Sequence, residues 1–261
     1  MEYQVLADEA LGYGLGVFET MRVEDGHVIW LCKHMERLKK SAKIIGIKNL
    51  ERLDGLDFEK EIQRAKEEFG NIFVLKLLLT ENQIYIGHRR MSYQSSDYEK
   101  GFSICTSQVR RNEASMWTRI KSLHYGDSIL EKRKAQEKGF LEALFLNSKG
   151  ELAECSMSNI FWVKEGQIYT PSLSCGLLPG VMRAFVLEKR NVQEIQAAYE
   201  QILQADEVFL TNSVVEVMGV HRLDGKEYSS MATANEIRKE LQSCKGEYQS
   251  STIENNNGSF Y

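Results

Sequence analysis

The chain contains 261 residues, of which 43% are hydrophobic and 27% charged, and its formal net charge is −4. This composition is typical of a globular protein with one large or two modest domains. The mild negative charge gives no reason to expect a nucleic-acid partner, and no apolar run approaches the roughly 20 residues of a membrane span, so we expect neither a nucleic acid nor a membrane as a partner.

The cysteines and the N-terminus indicate a compartment. Five cysteines are scattered along the chain without a C-x-x-C pair or a histidine at zinc spacing. This pattern favours reduced thiols in a cytosolic protein and predicts no metal site. The first residues, MEYQVLADEA, have neither the basic start nor the apolar core of a signal peptide. We therefore expect a cytoplasmic protein.

The glycine-rich segment ALGYGLGVFETMRV leads into a predicted hairpin. A dinucleotide-binding loop needs G-x-G-x-x-G at the start of a helix, whereas here a strand pattern runs into an Asp25-Gly26 turn. Strand alternation places Phe18 and Arg22 on one face. That face is a candidate wall of a polar site.

The next segment is predicted to be an amphipathic helix. Its apolar stripe consists of Leu31, Met35, Leu38, Ala42 and Ile45, and Gly46 follows as a stop. Arg37 lies beside this stripe among several lysines. Its ordinary interpretation is a solvated side chain.

Further along, the pattern predicts a helix, a buried strand, a polar irregular loop or ragged hairpin, and another strand. These segments are 57–69, 72–79, 82–100 and 102–109. Residues 110–118 are polar and lack periodicity, which favours an interdomain linker between an N-terminal domain (1–109) and a C-terminal domain (119–246). The polar residues 247–261 are predicted to be a flexible tail.

The second half begins as a meander. After a helix that Asp127 can cap, short strands are predicted at 141–146, 151–155, 159–163 and 167–170. A glycine then begins a helix near 180, where free backbone N–H groups would suit a phosphate, although a plain loop-to-helix junction is the ordinary interpretation. The strand 206–215 contains the small polar pair Asn212 and Ser213, and a hairpin and a helix close the domain.

Lys121 stands just past the predicted linker and is flanked by Ile120, Leu123 and Tyr125. A surface lysine is the ordinary interpretation. The alternative is a desolvated amine with a lowered pKa, which can form a Schiff base with a carbonyl. Lys121 alone does not decide between the two.

Six segments occur together in a characteristic order: YGLGVFETMR, HMERLKKSAKI, IKSLHY, LAECSMSNIFW, YTPSLSCGLLPGVMR and ADEVFLTNSVVEV. In this order the chain resembles the fold-type IV pyridoxal-phosphate enzymes, which include branched-chain aminotransferases, D-amino acid transaminases and 4-amino-4-deoxychorismate lyases. The resemblance implies a two-domain α/β (α+β) fold, with a smaller N-terminal domain and a larger, cofactor-binding C-terminal domain built on a barrel-like sheet. It also implies a homodimer in which residues of the partner close each site.

The resemblance assigns roles to individual residues. Lys121 would form the Schiff base and afterwards move a proton, and Glu154 would face the pyridine nitrogen and keep the ring protonated. Tyr125 would bind the ring 3-oxygen. The phosphate would be bound by Arg37, the N–H groups of Val181 and Met182, and the hydroxyl of Ser213. The resemblance thus reverses the ordinary interpretation of Arg37.

The substrate is expected to be a small molecule with an amino group, and candidate contacts to it are Tyr13, Phe18, Arg22 and Asn212. Family transaminases that act on D-amino acids commonly carry an arginine just after the strand that corresponds to 72–79, for the substrate carboxylate. Glu81 stands near that place here and would repel such a group. Arg22, Arg89 or Arg90 could bind the carboxylate instead.

The tyrosine four residues after Lys121 and the segment TNSVVEV favour the lyases within this family. The leading hypothesis is a pyridoxal-phosphate lyase that converts 4-amino-4-deoxychorismate to 4-aminobenzoate and pyruvate for folate synthesis. The alternative enzyme is a class IV aminotransferase for branched-chain or D-amino acids, in which the same proton returns to the cofactor. Two other hypotheses are a cofactor-binding regulatory protein without turnover and a protein without a cofactor.

Overall fold

The computed structural model describes residues 8–250, which form two compact units. The first unit contains 8–91 together with 244–250, and the second contains 92–243. Among the helices of residues 8–250, none combines the length and apolarity that a bilayer crossing would require.

The first unit is built on an antiparallel sheet. Its elements in chain order are α1 (Glu9–Tyr13), β1 (Val17–Glu24), β2 (His27–Ile29), α2 (Leu31–Ile44), α3 (Phe58–Phe69), β3 (Ile72–Leu79) and β4 (Ile84–Arg90). These strands follow the order β2-β1-β3-β4, and β1 pairs with β3 along its whole length. The apolar faces of α2 and α3 pack with β1 and β3 into one buried core, as their periodicity predicts.

The second unit contains the larger sheet. Its elements are α4 (Ser95–Lys100), β5 (Phe102–Thr106), α5 (Gly126–Glu137), β6 (Glu142–Leu146), β7 (Leu152–Cys155), β8 (Asn159–Lys164), β9 (Gln167–Pro171), α6 (Val181–Lys189), β10 (Val192–Ile195), α7 (Tyr199–Leu203), β11 (Glu207–Asn212), β12 (Glu216–Leu223), β13 (Lys226–Glu227) and α8 (Ala232–Cys244). The strand order is β10-β9-β8-β11-β12-β5-β6-β7, with β13 paired to β12. Both parallel and antiparallel pairs occur. The predicted mixed α/β fold is confirmed.

After α8 the chain returns to the first unit. A 3-10 turn (Lys245–Tyr248) leads into β14 (Gln249–Ser250), which pairs with β2 at the edge of the first sheet. The Tyr248 ring stacks on Trp30, with ring centres 3.7 Å apart. The tail predicted to begin at residue 247 therefore starts with ordered backbone, and 251–261 lie outside the described residues.

The compact units divide the chain differently from the predicted boundary. The strand β5 was expected in the N-terminal domain, but it lies between β12 and β6 in the second sheet, parallel to both. The predicted linker 110–118 lies within the second unit, where the backbone N–H of Arg111 donates to the carbonyl of Leu146 at 2.9 Å. The region 82–100 contains the hairpin strand β4 and the helix α4. The β3–β4 hairpin is local and agrees with the hairpin alternative, whereas the pairings of β5 are non-local, so local periodicity does not encode them.

Candidate active site

Lys121 lies between a 3-10 turn (Met116–Thr118) and α5 in the second unit. Tyr125 is the N-cap residue of α5, and the ammonium of Lys121 lies 5.3 Å from the centre of its ring. The phenol of Tyr125 donates a hydrogen bond to the carbonyl of Ser156 at 3.0 Å. The helix start and the Ser156 carbonyl therefore hold Tyr125 beside Lys121.

Glu154 is buried on β7. One carboxylate oxygen lies 3.2 Å from Nη2 of Arg111, and the other accepts the backbone N–H of Leu178 at 3.0 Å. Burial raises the pKa of Glu154, while the Arg111 guanidinium, the Leu178 N–H and the Lys121 ammonium oppose that rise. Lys121, Tyr125 and Glu154 therefore lie in one neighbourhood of the second unit.

Arg111 is a site residue that the sequence interpretation missed. Its guanidinium lies 3.8 Å from the ring centre of Phe145, and Nη2 donates to Ser128 Oγ at 2.7 Å. Stacking on an aromatic ring and a fixed hydrogen bond hold the planar cation against Glu154. Because Arg111 is one of two adjacent arginines in an aperiodic segment, the sequence contains no signal that points to it.

The start of α6 carries two of the predicted phosphate contacts. Val181 and Met182 are the first residues of this nine-residue helix, and Gly180 precedes them as the N-cap. Glycine has no side chain to cap the first-turn N–H groups, which leaves them to another acceptor. A Cβ at residue 180 would lie 2.0 Å from Oδ1 of Asn159, whose amide also donates to the carbonyl of Leu178 at 2.8 Å.

Asn212 and Ser213 lie at the turn between β11 and β12. Oδ1 of Asn212 accepts the backbone N–H groups of Val214 and Val215, each at 2.8 Å, and Nδ2 donates to Ser158 Oγ at 2.9 Å. The side chain of Asn212 therefore fixes the backbone turn that contains Ser213. In this structure its contacts are within the protein.

Arg37 belongs to the first unit, where it contacts a buried carboxylate. Its Nε lies 2.7 Å from Oε1 of Glu19 and its Nη2 lies 2.6 Å from Oε2, a bidentate arrangement. Nδ1 of His34 lies 2.6 Å from the same Oε2. Although burial favours the neutral acid, Arg37 and His34 lower the pKa of Glu19 to about 2. Arg37 is therefore an oriented, mostly buried side chain rather than a solvated one.

The remaining candidates also lie in the first unit. Tyr13 is 70% exposed, whereas Phe18 is buried, with the Lys76 ammonium 4.6 Å from its ring centre. Arg22 forms an ion pair with Glu24. As predicted, Phe18 and Arg22 occupy alternate positions of β1 that share a face.

The other two arginines proposed as carboxylate binders, Arg89 and Arg90, lie on β4. Nη2 of Arg90 donates to the carbonyl of Glu68 at 3.0 Å, and Nη1 of Arg89 donates to the carbonyl of Arg90 at 3.3 Å. Glu81 accepts the backbone N–H of Lys48 at 2.9 Å. These contacts assign no substrate role to the three residues.

A model of the family described as amino-transferase class IV matches residues 16–223. The chain belongs to the class IV aminotransferase family. Membership confirms the predictions of an enzyme and of pyridoxal phosphate as its cofactor.

Among individual relatives, the chain is 30% identical over 260 residues to an aminodeoxychorismate lyase of Bacillus subtilis, covering 86% of this chain and 83% of the relative. It is 31% identical to a probable branched-chain-amino-acid aminotransferase of Aquifex aeolicus, over 88% of this chain and 82% of the relative. A solved structure from Legionella pneumophila, provisionally named a 4-amino-4-deoxychorismate lyase, is similar with a TM-score of 0.81 and 26% identity, over 93% of this chain and 96% of that one. The relatives thus include both lyases and aminotransferases.

Proposed function

We propose that the protein is a pyridoxal-phosphate-dependent lyase that converts 4-amino-4-deoxychorismate to 4-aminobenzoate and pyruvate, a step of folate synthesis, as a cytoplasmic homodimer. The observation that carries the cofactor chemistry is the grouping of Lys121, Tyr125 and the buried Glu154. Similarity to an aminodeoxychorismate lyase over 86% of the chain supports the choice of reaction.

The chemistry of these side chains fits pyridoxal phosphate. Lys121 supplies an amine for the aldehyde, and a buried carboxylate at Glu154 suits a protonated pyridine nitrogen. The first-turn N–H groups of α6 suit a phosphate, because a helix N-terminus attracts anions. When bound, the cofactor supplies an electron sink for a carbanion formed on the substrate.

The protein's own groups would then act on one proton and one bond. Lys121 Nζ would accept the proton from C4 of the substrate, while Tyr125 and Glu154 would hold the cofactor ring in place beside the substrate. Loss of this proton and cleavage of the bond from C3 to the enolpyruvyl oxygen leave an aromatic ring. The released enolpyruvate takes up a proton to become pyruvate. Aromatisation supplies the driving force.

The decisive experiment compares two reactions on the same cofactor-loaded preparation. One arm measures 4-aminobenzoate formed from 4-amino-4-deoxychorismate, and the other measures conversion of the cofactor to its pyridoxamine form by a panel of D- and L-amino acids. We expect aminobenzoate, and no product from a Lys121→Ala control. Robust transamination without aminobenzoate would overturn the lyase proposal.

An aminotransferase for branched-chain or D-amino acids is the second candidate. The 31% identity to the probable branched-chain aminotransferase of Aquifex aeolicus favours it. In that reaction Lys121 would return the proton to the cofactor, and no group would be eliminated from the substrate. The amino-acid panel measures this activity directly, and light scattering of the purified protein tests the proposed dimer.

A further inference from the structure

Glu142 on β6 is a fully buried carboxylate that the sequence interpretation did not single out. Oε2 accepts the hydroxyl of Ser156 and the backbone N–H of Met157, both at 2.8 Å. Oε1 accepts the hydroxyl of Ser158 at 2.9 Å. One buried carboxylate therefore receives a hydrogen bond from each residue of the turn that joins β7 to β8.

This turn contacts Tyr125, which the resemblance assigns to the cofactor ring, and Asn212, which directly precedes Ser213, the expected phosphate contact. On one side, the carbonyl of Ser156 accepts the phenol of Tyr125 at 3.0 Å. On the other side, the hydroxyl oxygen of Ser158 accepts Nδ2 of Asn212 at 2.9 Å. Glu142 thus lies at the centre of a polar network that extends from Tyr125, the expected ring contact, to Asn212, the residue before the expected phosphate contact Ser213.

The hydrogen bonds of this network have a defined direction, which requires an acceptor at residue 142. A carboxylate accepts hydrogen bonds and donates none, so the hydroxyl of Ser158 donates its proton to Glu142. The lone pairs of Ser158 then face Nδ2 of Asn212. The other end of that amide, Oδ1, faces the N–H groups of Val214 and Val215. An amide at residue 142 could donate to Ser158, and the Ser158 proton would then face Nδ2 of Asn212, which is itself a donor.

Glu142 differs from a carboxylate that stabilises only its own turn, because the turn that it holds also contacts Tyr125 and Asn212. A buried charge is costly unless it is fully hydrogen-bonded, and a tight turn needs no carboxylate to form. What the carboxylate adds is a defined orientation of neighbouring polar groups.

We propose that Glu142 is a positioning residue of the cofactor cradle, whose carboxylate holds the turn 156–158 so that Tyr125 and the Asn212-Ser213 turn keep the orientation that binds pyridoxal phosphate. This inference rests on the proposed function, because it requires that the cofactor binds beside these groups. Glu142 itself need not touch the cofactor.

The test is a Glu142→Gln substitution in the full-length protein, prepared without cofactor and then titrated with pyridoxal phosphate. The readouts are the dissociation constant, the visible absorption of the bound cofactor and the melting temperature of the cofactor-free protein. Glu207→Gln is the matched control, because Glu207 is also buried and accepts Ser230 Oγ, Thr233 N and Ala234 N at 3.1, 3.0 and 2.7 Å.

We expect Glu142→Gln to weaken cofactor binding by about tenfold or more, equivalent to about 1.4 kcal/mol, and to change the visible absorption. Both substitutions should lower the melting temperature by similar amounts. Glu207→Gln, however, should leave the dissociation constant for pyridoxal phosphate within about twofold of the wild-type value. A folded Glu142→Gln protein with wild-type affinity and absorption would overturn the inference.

A second variant keeps the proposal testable if Glu142→Gln does not fold. Ser158→Ala removes the hydroxyl between Glu142 and Asn212, and it should weaken binding of pyridoxal phosphate more than binding of pyridoxal, which lacks the phosphate. Equal effects on the two ligands would contradict the proposed link to the phosphate. A wild-type protein that fails to bind pyridoxal phosphate, with no borohydride label at Lys121, would overturn the proposed function as well.

Discussion

Arg111 offers a demanding test of the site, because it pairs with Glu154, the carboxylate proposed to face the pyridine nitrogen. Arg111→Gln removes the cation that lies 3.2 Å from Glu154, where the two side chains are 14% and 11% exposed. Breaking a buried ion pair by removing one partner costs about 3–5 kcal/mol. Because Glu154 can be neutralised by a proton and keeps the Leu178 N–H, we expect the lower end, about 3 kcal/mol at neutral pH.

The pH dependence has a definite sign. Burial already raises the pKa of Glu154, and loss of Arg111 removes the largest opposing influence, so the pKa in the folded variant rises further. A folded state that binds a proton more tightly than the unfolded state loses stability as pH rises through the folded pKa. The destabilisation of Arg111→Gln relative to wild type should therefore shrink in acid.

The assay is chemical denaturation of the cofactor-free variant and wild type from acid to neutral pH, followed by cofactor titration. Arg111→Lys is the matched control, because it keeps the charge but loses the planar stack on Phe145. It should retain part of the stability and part of the cofactor affinity. Equal stability and equal cofactor affinity of Arg111→Gln and wild type at neutral pH would refute the assigned role of Arg111.

Three further predictions concern other parts of the chain. Lys121→Ala should abolish borohydride labelling and turnover while changing the free energy of unfolding by no more than about 1 kcal/mol; labelling that persists would contradict the assignment. Since the pKa of Glu19 is lowered from 4.5 to about 2, its ionised form stabilises the fold by about 3 kcal/mol above the unfolded pKa, and this is lost as pH falls towards 2. Glu19→Gln should flatten that acid dependence in denaturation curves, and an unchanged acid limb would argue against the ion pair. Gly180→Ala should cost about 1–3 kcal/mol and weaken phosphate binding, because the new methyl meets Asn159; wild-type stability and affinity would count against the close contact.

Several features were predictable because they are encoded locally. The period of apolar residues identified α2 and α3, and a continuous apolar run identified β3. The turn at Asp25-Gly26 was recognisable because Asp-Gly tolerates tight hairpin geometry, and Asp25 has a positive φ. Motif order was sufficient to identify the family and to select Lys121 and Glu154.

The partners of these residues were decided only by the tertiary structure. Arg111 meets Glu154 where an isolated bridge to Asn147 places it beside the second sheet, and Glu142 meets the turn 156–158 through the pairing of β6 with β7. The same holds for β5, which lies between β12 and β6, and for β14, which pairs with β2. Local periodicity determines which side of an element is buried, but it contains no information about which distant strand will lie beside it. The sequence by itself therefore determined most of the elements, the family and the candidate lysine, whereas the arrangement of charges around that lysine depended on the fold.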